Sequence, residues 1–296
     1  MLPRILIAFL AFCACCVAWG NLVERRRYRL TRYRLDILPA GATPLSVLHL
    51  SDLHFVSHDR RKAAFLATLP RADVTVVTGD FLAEPEAVET TVAAIRPVRG
   101  RLASWFVLGS NDYFAPRPLN YFAYFRKSRT PRRASSGRAP ELIAQLSTDG
   151  WEDLTNIRRR VDLEGLPVEL LGLDDAHIAR HDLRVAPRRE NGLFGFAVMH
   201  SPDSAPETAA LGYDLMVAGH THGGQVRLPG VGAIVTNCSL PPRLVSGLIQ
   251  MGPAVLSLSP GLGTSKYAPF RFFCRPEATL LELAPRAAAS ATTASR

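Results

Sequence analysis

Hydrophobic and polar positions follow two regimes along this chain. Residues 5–23 are almost wholly apolar, near the lower limit of roughly 17–25 residues for a membrane-spanning helix. Too few polar residues interrupt that stretch to give it the one-sided stripe of a core helix. From 27 to 37 the pattern alternates loosely, as in Tyr28-Arg29-Leu30 and Tyr33-Arg34-Leu35, and predicts a strand. After the turn at Pro39-Ala40-Gly41, apolar runs at 45–50, 74–77 and 105–108 predict buried strands, with helical patterns at 60–69 and 84–95 between them. Strand, helix, strand, helix, strand implies a parallel sheet with right-handed crossovers. The carboxyl ends of such strands share one edge, where ligands bind.

The second half predicts mainly strands. A hairpin joins 161–163 to 168–171 around Gly165-Leu166-Pro167, and further strands fall at 194–199, 214–218, 232–237, 254–258 and 280–283. A short helix is expected at 141–146. The tail 285–296, rich in Ala, Ser and Thr, is expected to be disordered. Residues 113–140 interrupt the pattern with six aromatic residues followed by a run of basic ones. This insertion reads as a mobile loop or partial lid beside the site, or as solvated disorder in its basic part. The layout is therefore a membrane segment at 1–24, a basic juxtamembrane linker or strand at 25–44, one domain at 45–284 and the tail.

Composition changes the picture in two places. At 47% hydrophobic and 21% charged over 296 residues, the chain can bury a full core. Of the formal net charge of +9, residues 24–36 carry +4 and residues 113–140 carry +7, which leaves −2 for the rest. A near-neutral body argues against a broad nucleic-acid face, whereas local basic patches suit a membrane surface or an anionic substrate. Only Arg4 and the amino terminus precede the apolar stretch, while Arg25, Arg26, Arg27, Arg29, Arg32 and Arg34 follow it. The positive-inside rule then keeps the following domain in the cytoplasm on a single-pass anchor. Small residues at Ala18-Trp19-Gly20 leave a cleaved signal peptide and an exported domain as the alternative. In the body, Cys238 and Cys274 form no disulfide framework or C-x-x-C zinc pattern, and two unpaired buried thiols are expected, with a single bond between them as the alternative.

Candidate chemistry sits where the predicted strands end. Asp52 and His54 follow 45–50; Gly79-Asp80 follows 74–77; Gly109-Ser110-Asn111-Asp112 follows 105–108; His200 follows 194–199; Gly219-His220-Thr221-His222-Gly223 follows 214–218. Carboxylates and imidazoles on aligned strand tips can point into one space, each neutral histidine offering a nitrogen to a metal. Each motif alone has a blander reading: two histidines in a loop are usually two hydrophilic rings. His49, inside a strand, reads as a core or edge histidine, and Asp174-Asp175 as a capped turn.

Taken in order, from about residue 45 to 283, these motifs resemble the set found in calcineurin-like metallophosphoesterases. The resemblance implies an α/β fold of two mixed β-sheets packed face to face and flanked by helices, here preceded by a transmembrane segment. It implies one metal held by Asp52, His54 and His222, a second by His200 and His220, and Asp80 bridging the two. This mix of hard carboxylates and borderline imidazoles suits Mn, Fe or Zn. Two such cations about 3.5–4 Å apart acidify a bridging water and clamp a phosphate for in-line attack, so the nucleophile would be a bridging hydroxide.

One departure stands out. The family's third motif is Gly-Asn-His-Asp, and here it reads Gly-Ser-Asn-Asp, which puts Ser110 at the Asn position and Asn111 at that of the acid histidine. Either Asn111 reaches the second metal through a small loop shift, or that metal site is weaker. Asn111 and Asp112 are carried as candidate catalytic residues, and His58, His177 and His181 as histidines that can stand in spatially for the missing one. Loss of one proton donor costs ~10²–10⁴-fold, least on substrates with good leaving groups. The implied function is a phosphoesterase or phosphodiesterase at the membrane, similar to the membrane-associated bacterial branch of the family, acting on a small-molecule or lipid-linked phosphate or a nucleotide sugar. The alternatives are a non-catalytic metal- or phosphate-binding protein of the same fold and a nuclease of the superfamily, the latter disfavoured by charge.

Overall fold

In the computed structural model, residues 2–116, 137–186 and 192–287 are described. Helix α1 (Leu2–Leu22) opens the chain. At about 1.5 Å per residue it is roughly 30 Å long, and it is apolar enough to cross a membrane. Ile5, Ile7, Phe9 and Phe12 are exposed along its length. Its carboxyl end is docked on the domain, where Gly20 lies against Phe270 and its carbonyl accepts from Arg271 N at 3.3 Å.

Strands β1 (Arg29–Leu38), β2 (Leu45–Leu50), β3 (Val74–Thr78), β4 (Ala103–Val107) and β5 (Glu152–Asp153), with the late strand β14 (Glu277–Pro285), form a first sheet in the order β1-β14-β2-β3-β4-β5. A second sheet holds β6 (Ile157–Leu163), β7 (Leu166–Leu173), β8 (Phe194–Met199), β9 (Leu215–Ala218), β12 (Gly247–Met251) and β13 (Ala254–Leu258), in the order β12-β13-β9-β8-β7-β6. Between β9 and β12 lies a small ribbon of β10 (Arg227–Leu228) and β11 (Gly232–Ala233). In the first sheet β2 to β5 run parallel, and in the second β13, β9, β8 and β7 do.

Strand alternation explains the layers. On β2, Leu45 and Val47 face the second sheet and join Val74, Val76, Trp105, Phe196, Val198, Leu215 and Val217 in the central core. Leu48 and Leu50 face the other way, onto α2 (Arg60–Leu66), α3 (Val88–Ile95) and α5 (Ala139–Thr148), which follows the single-turn α4 (Ser110–Tyr113). Both faces are covered, which is why the strands read as continuous apolar runs. The far face of the second sheet packs against the short helix α6 (Ala205–Ala210) and Tyr213. The expected sandwich of two mixed sheets is therefore present.

Several local expectations change. The β6–β7 turn is Glu164-Gly165, at φ 54° and 86°, a two-residue connection with both residues left-handed; Pro167 already lies in β7. The strand expected at 232–237 shrinks to two residues, and β12 carried no clear signal because its edge position leaves Leu248 and Gln250 exposed. Pro285 belongs to β14 and Arg286 N bonds Leu38 O at 2.9 Å, so order extends past the expected start of the tail. Residues 288–296 lie outside the described residues, as do 117–136 of the basic-aromatic insertion and 187–191. Cys238 and Cys274 are both free thiols, as expected, but only Cys274 is buried and Cys238 is half-buried.

Candidate metal centre

The parallel strands deliver their carboxyl ends to one edge of the sandwich. The loop after β2 runs beside the loop after β3, held by Asp52 N to Gly79 O at 3.0 Å, His54 N to Asp80 O at 2.9 Å and Phe55 N to Phe81 O at 2.8 Å. From the second sheet, Gly219 N bonds His200 O at 2.9 Å, which ties the loop after β9 to the loop after β8. Asp52, His54, Asp80, His220 and His222 all have left-handed backbones, with φ between 42° and 70°. That region is sparsely used by residues other than glycine and tends to mark functional sites. Here it turns successive side chains inward at the strand tips.

Four of the predicted residues, Asp52, His54, Asp80 and His222, bring one ligand atom each to within 4.8 Å of one another. Asp80 faces both halves: Oδ2 is 3.5 Å from His54 Nε2, and Oδ1 is 3.6 Å from His200 Nε2. His222 Nε2 lies 3.6 Å from Asp52 Oδ1 and 3.3 Å from His54 Nε2. His220 packs edge-on to His200, with ring centroids 5.2 Å apart.

Hydrogen bonds set which atoms remain free. Asp52 Oδ2 accepts from Ser51 Oγ at 2.6 Å and from His220 N at 2.9 Å, while its Oδ1 is buried with no partner. His200 Nδ1 meets the Thr78 carbonyl at 2.6 Å, and a carbonyl only accepts, so Nδ1 carries hydrogen and Nε2 faces Asp80. That Nε2 is also buried without a partner. His220 Nε2 meets the Asn237 carbonyl at 3.2 Å, which by the same reasoning leaves Nδ1 as the lone-pair nitrogen. Buried, unpartnered oxygens and nitrogens are rare and costly, and this converging set fits a divalent cation in both donor type and tautomer.

The electrostatics agree. Burial pulls the His54 imidazole down to about 4 and that of His222 to about 3, so both are neutral, as ligands must be. Burial alone would raise the Asp80 carboxyl, but His200, His54 and the Asn111 hydrogen bonds hold it well below the usual range. At His200 burial is outweighed by Asp80, Asp175 and Asp52, which lift the imidazole to about 10. A proton on His200 thus neutralises carboxylates that a cation would otherwise neutralise.

Asn111 touches the cluster through Asp80: its Nδ2 donates to Oδ2 at 2.5 Å and its backbone N to Oδ1 at 2.8 Å. Asp112 faces the backbone. It accepts from Gly109 N and Asp80 N at 3.0 Å, Phe81 N at 2.9 Å and Leu82 N at 3.2 Å, which pins the β3 and β4 loops together. Of the histidines weighed as substitutes, His177 lies tilted against His220, with ring centroids 4.4 Å apart. His58 lines a cleft beside His54, and among the described residues His181 joins no group of candidate ligands. His49 is buried on Thr78 Oγ1 at 3.0 Å, and Asp175 caps a turn at His177 N.

Two supporting cations were not singled out from sequence. Buried Lys62 donates to Leu53 O at 2.5 Å and His54 O at 3.1 Å and pairs with Asp59 at 2.8 Å. Arg271, fully buried, donates to Gly263 O at 2.6 Å, Pro260 O at 2.7 Å and Gly261 O at 3.2 Å. The one available signal for Arg271 is its place inside the aromatic run Phe270-Arg271-Phe272-Phe273.

A two-sheet sandwich with a buried carboxylate–imidazole cluster across aligned strand tips defines a metal-dependent hydrolase architecture. The calcineurin-like phosphoesterase profile matches residues 45–224. The chain belongs to that family and is a metal-dependent phosphoric ester hydrolase. Among its relatives is the uncharacterized metallophosphoesterase YkuE of Bacillus subtilis, 25% identical over 261 residues that cover 84% of this chain and 82% of the relative. Phosphodiesterase YaeI of Escherichia coli is 27% identical over 262 residues, covering 86% and 88%. The UDP-2,3-diacylglucosamine pyrophosphatase LpxG of Chlamydia muridarum is 26% identical over 309 residues, covering 89% and 91%.

Proposed function

We propose that this chain is a dinuclear phosphoesterase or phosphodiesterase, anchored by α1 with its catalytic domain on the cytoplasmic face, acting on a lipid-linked or nucleotide-sugar phosphate. Asp52, His54 and His222 would hold one divalent ion, His200 and His220 the other, and Asp80 would serve both, with Mn, Fe or Zn suited to the donor set. The observation that carries this reading is the pair of buried, unpartnered ligand atoms, Asp52 Oδ1 and His200 Nε2, aimed into one cluster from two different sheets. When bound, two such ions polarise the phosphoryl oxygens and lower the pKa of an attacking water.

The protein's own task is orientation. Ser51 and the His220 amide fix Asp52, the Thr78 carbonyl fixes His200, and Asn111 holds Asp80 between the two halves. Asp112 anchors the loops and is assigned a positioning role. The six arginines after α1 and the relatives named as a phosphodiesterase and a lipid-nucleotide pyrophosphatase support a membrane-borne anionic substrate. The test is Mn²⁺-dependent hydrolysis of bis(p-nitrophenyl) phosphate by the full chain in detergent, with Asp80→Asn as control. Turnover lost on chelation and in the variant supports the reading. Equal turnover in variant and wild type would exclude it.

A further inference from the structure

Large apolar side chains that face water are few in the domain, and most of them lie together. Seven are exposed beyond residue 23 among the described residues, and four of these are Leu228, Val231, Ile234 and Phe273. The four include the three most exposed, Val231 at 72%, Phe273 at 59% and Ile234 at 52%. Leu228, Val231 and Ile234 belong to the β10–β11 ribbon and its flanks, and the root of that ribbon is bonded to the aromatic loop that carries Phe273. Arg227 N donates to Phe272 O at 2.9 Å, and Phe272 N to Gln225 O at 3.0 Å. Alternation sends Ala233 inward onto Gly224 and leaves Leu228 and Ile234 on the outer face. Single apolar residues on a surface need no explanation, whereas a contiguous patch marks a surface that something covers.

Two features say what covers it. The first is depth. The same aromatic loop grips the end of α1, with Phe270 against Gly20 and Arg271 N donating to Gly20 O at 3.3 Å. The apolar stretch continues to Val23, a further rise of about 5 Å, so the loop meets the helix before the helix turns polar. With α1 in a bilayer, the 270–273 loop and the ribbon beside it lie in the interfacial layer, which is several Å thick on each side. Trp19, with the Arg27 guanidinium 5.8 Å from its ring, stands at the same level, as tryptophans at membrane interfaces do. The second feature is charge. Residues 215–276 contain no Asp or Glu and carry Arg227, Arg243, Lys266, Arg271 and Arg275, a balance that suits anionic headgroups.

We propose that the β10–β11 ribbon and Phe273 form a second bilayer contact beside α1, with Leu228, Val231, Ile234 and Phe273 seated among phospholipid acyl chains just below the headgroups. This rests on α1 lying in a bilayer, not on the chemistry of the metal centre. Its consequence is orientation. The ribbon leaves the histidine loop through Gln225, whose N donates to His222 O at 3.0 Å, and the chain returns at Asn237, whose carbonyl accepts from His220 Nε2 at 3.2 Å. A ribbon fixed in the bilayer surface therefore holds the histidine loop close to the headgroups.

The test uses full chains in phosphatidylcholine nanodiscs, with and without lipid brominated on the acyl chains near the glycerol, a short-range quencher of tryptophan. Val231→Trp places a probe on the ribbon, and Pro253→Trp places one in the β12–β13 turn. That turn lies at the opposite end of the second sheet, because β13 runs parallel to β9, whose carboxyl end feeds the histidine loop. Both positions are exposed, so neither probe displaces core packing, which circular dichroism checks. Each is read as the emission added over wild type, where Trp105 and Trp151 are buried and Trp19 reports on α1. Val231→Trp is expected to lose about half or more of its added emission, as a side chain about 5–10 Å into the headgroup–acyl boundary would, while Pro253→Trp loses none. No loss at either position, or equal loss at both, overturns the proposal. Quenching of Trp19 without that of Val231→Trp leaves the anchor standing and removes the ribbon contact; if Trp19 is spared as well, the membrane reading falls with it. Emission from Val231→Trp that is blue-shifted but unquenched, in discs that hold two chains, puts a second copy on the patch and likewise overturns the proposal.

Discussion

Asp52 presents two oxygens with different tasks. Oδ2 is held by Ser51 Oγ and the His220 amide, and Oδ1 points bare toward His222. The first oxygen fixes the second, because Thr78 orients Ser51 in turn at 2.7 Å. This chain of contacts needs room that only glycine leaves at position 219: a methyl group there would overlap Ser51 Oγ and Asp52 Oδ2. Gly219→Ala is expected to keep the fold and shift Asp52, lowering kcat on bis(p-nitrophenyl) phosphate by about 10²-fold, as small misplacements of reacting groups do. Circular dichroism alongside kinetics checks it; undiminished kcat would show that Asp52 is not held by this contact. Most residues of this cluster were legible in sequence, since each follows an apolar run. The exceptions are of another kind: a carboxylate that binds four backbone amides, as Asp112 does, looks in sequence the same as one that faces a substrate.

At the scale of elements, the loops at the strand tips are stapled by cations that bind main-chain carbonyls. Lys62 holds the β2 loop from α2, and Arg271 holds residues 260–263 against the histidine loop. Both are buried, so each bond replaces one that water cannot make. Arg271→Lys keeps the charge but has no planar fork to reach Pro260, Gly261 and Gly263 together. The expected cost is about 3 kcal/mol, within the range for breaking a buried charged contact, read as a lower urea midpoint with m unchanged. An unaltered midpoint would mean the loop does not depend on the fork. Strand positions were readable because both faces of β2, β3, β8 and β9 are covered. The pairing of β14 between β1 and β2 was not, because a long-range register leaves no local periodicity. β12 was missed for the opposite reason: an edge strand with one face in water lacks an apolar run.

At the scale of the whole molecule, the metal-free protein should carry an acid-labile core of histidines. Burial holds His49 at about 3, His54 at about 4 and His222 at about 3, against 6.5 in the unfolded chain. Between those values and about 6.5 the unfolded chain binds protons that the folded one does not, so stability falls as pH drops below 6.5. His200, raised to about 10, has the opposite sign: its contribution is complete below 6.5 and is lost as pH rises toward 10. The urea midpoint in EDTA should therefore decline from pH 6.5 to 4 and also as pH rises from 6.5 toward 10; a flat profile would contradict the burial of neutral histidines. Charge distribution, the apolar amino terminus and the order of strand-tip motifs made the class of molecule legible. The cleft beside His54 that Arg25, Arg26, Arg60 and Arg61 line was not, because residues far apart in sequence line it together.

The most direct measurement is metal per chain, by elemental analysis of the full-length protein purified without chelator, for wild type and His200→Ala. Two ions in the wild type and about one in the variant is the predicted result, because His200 serves one half of the cluster and Asp80 both. One ion or none in the wild type, or an equal content in the two proteins, would contradict a dinuclear centre built across these strand tips.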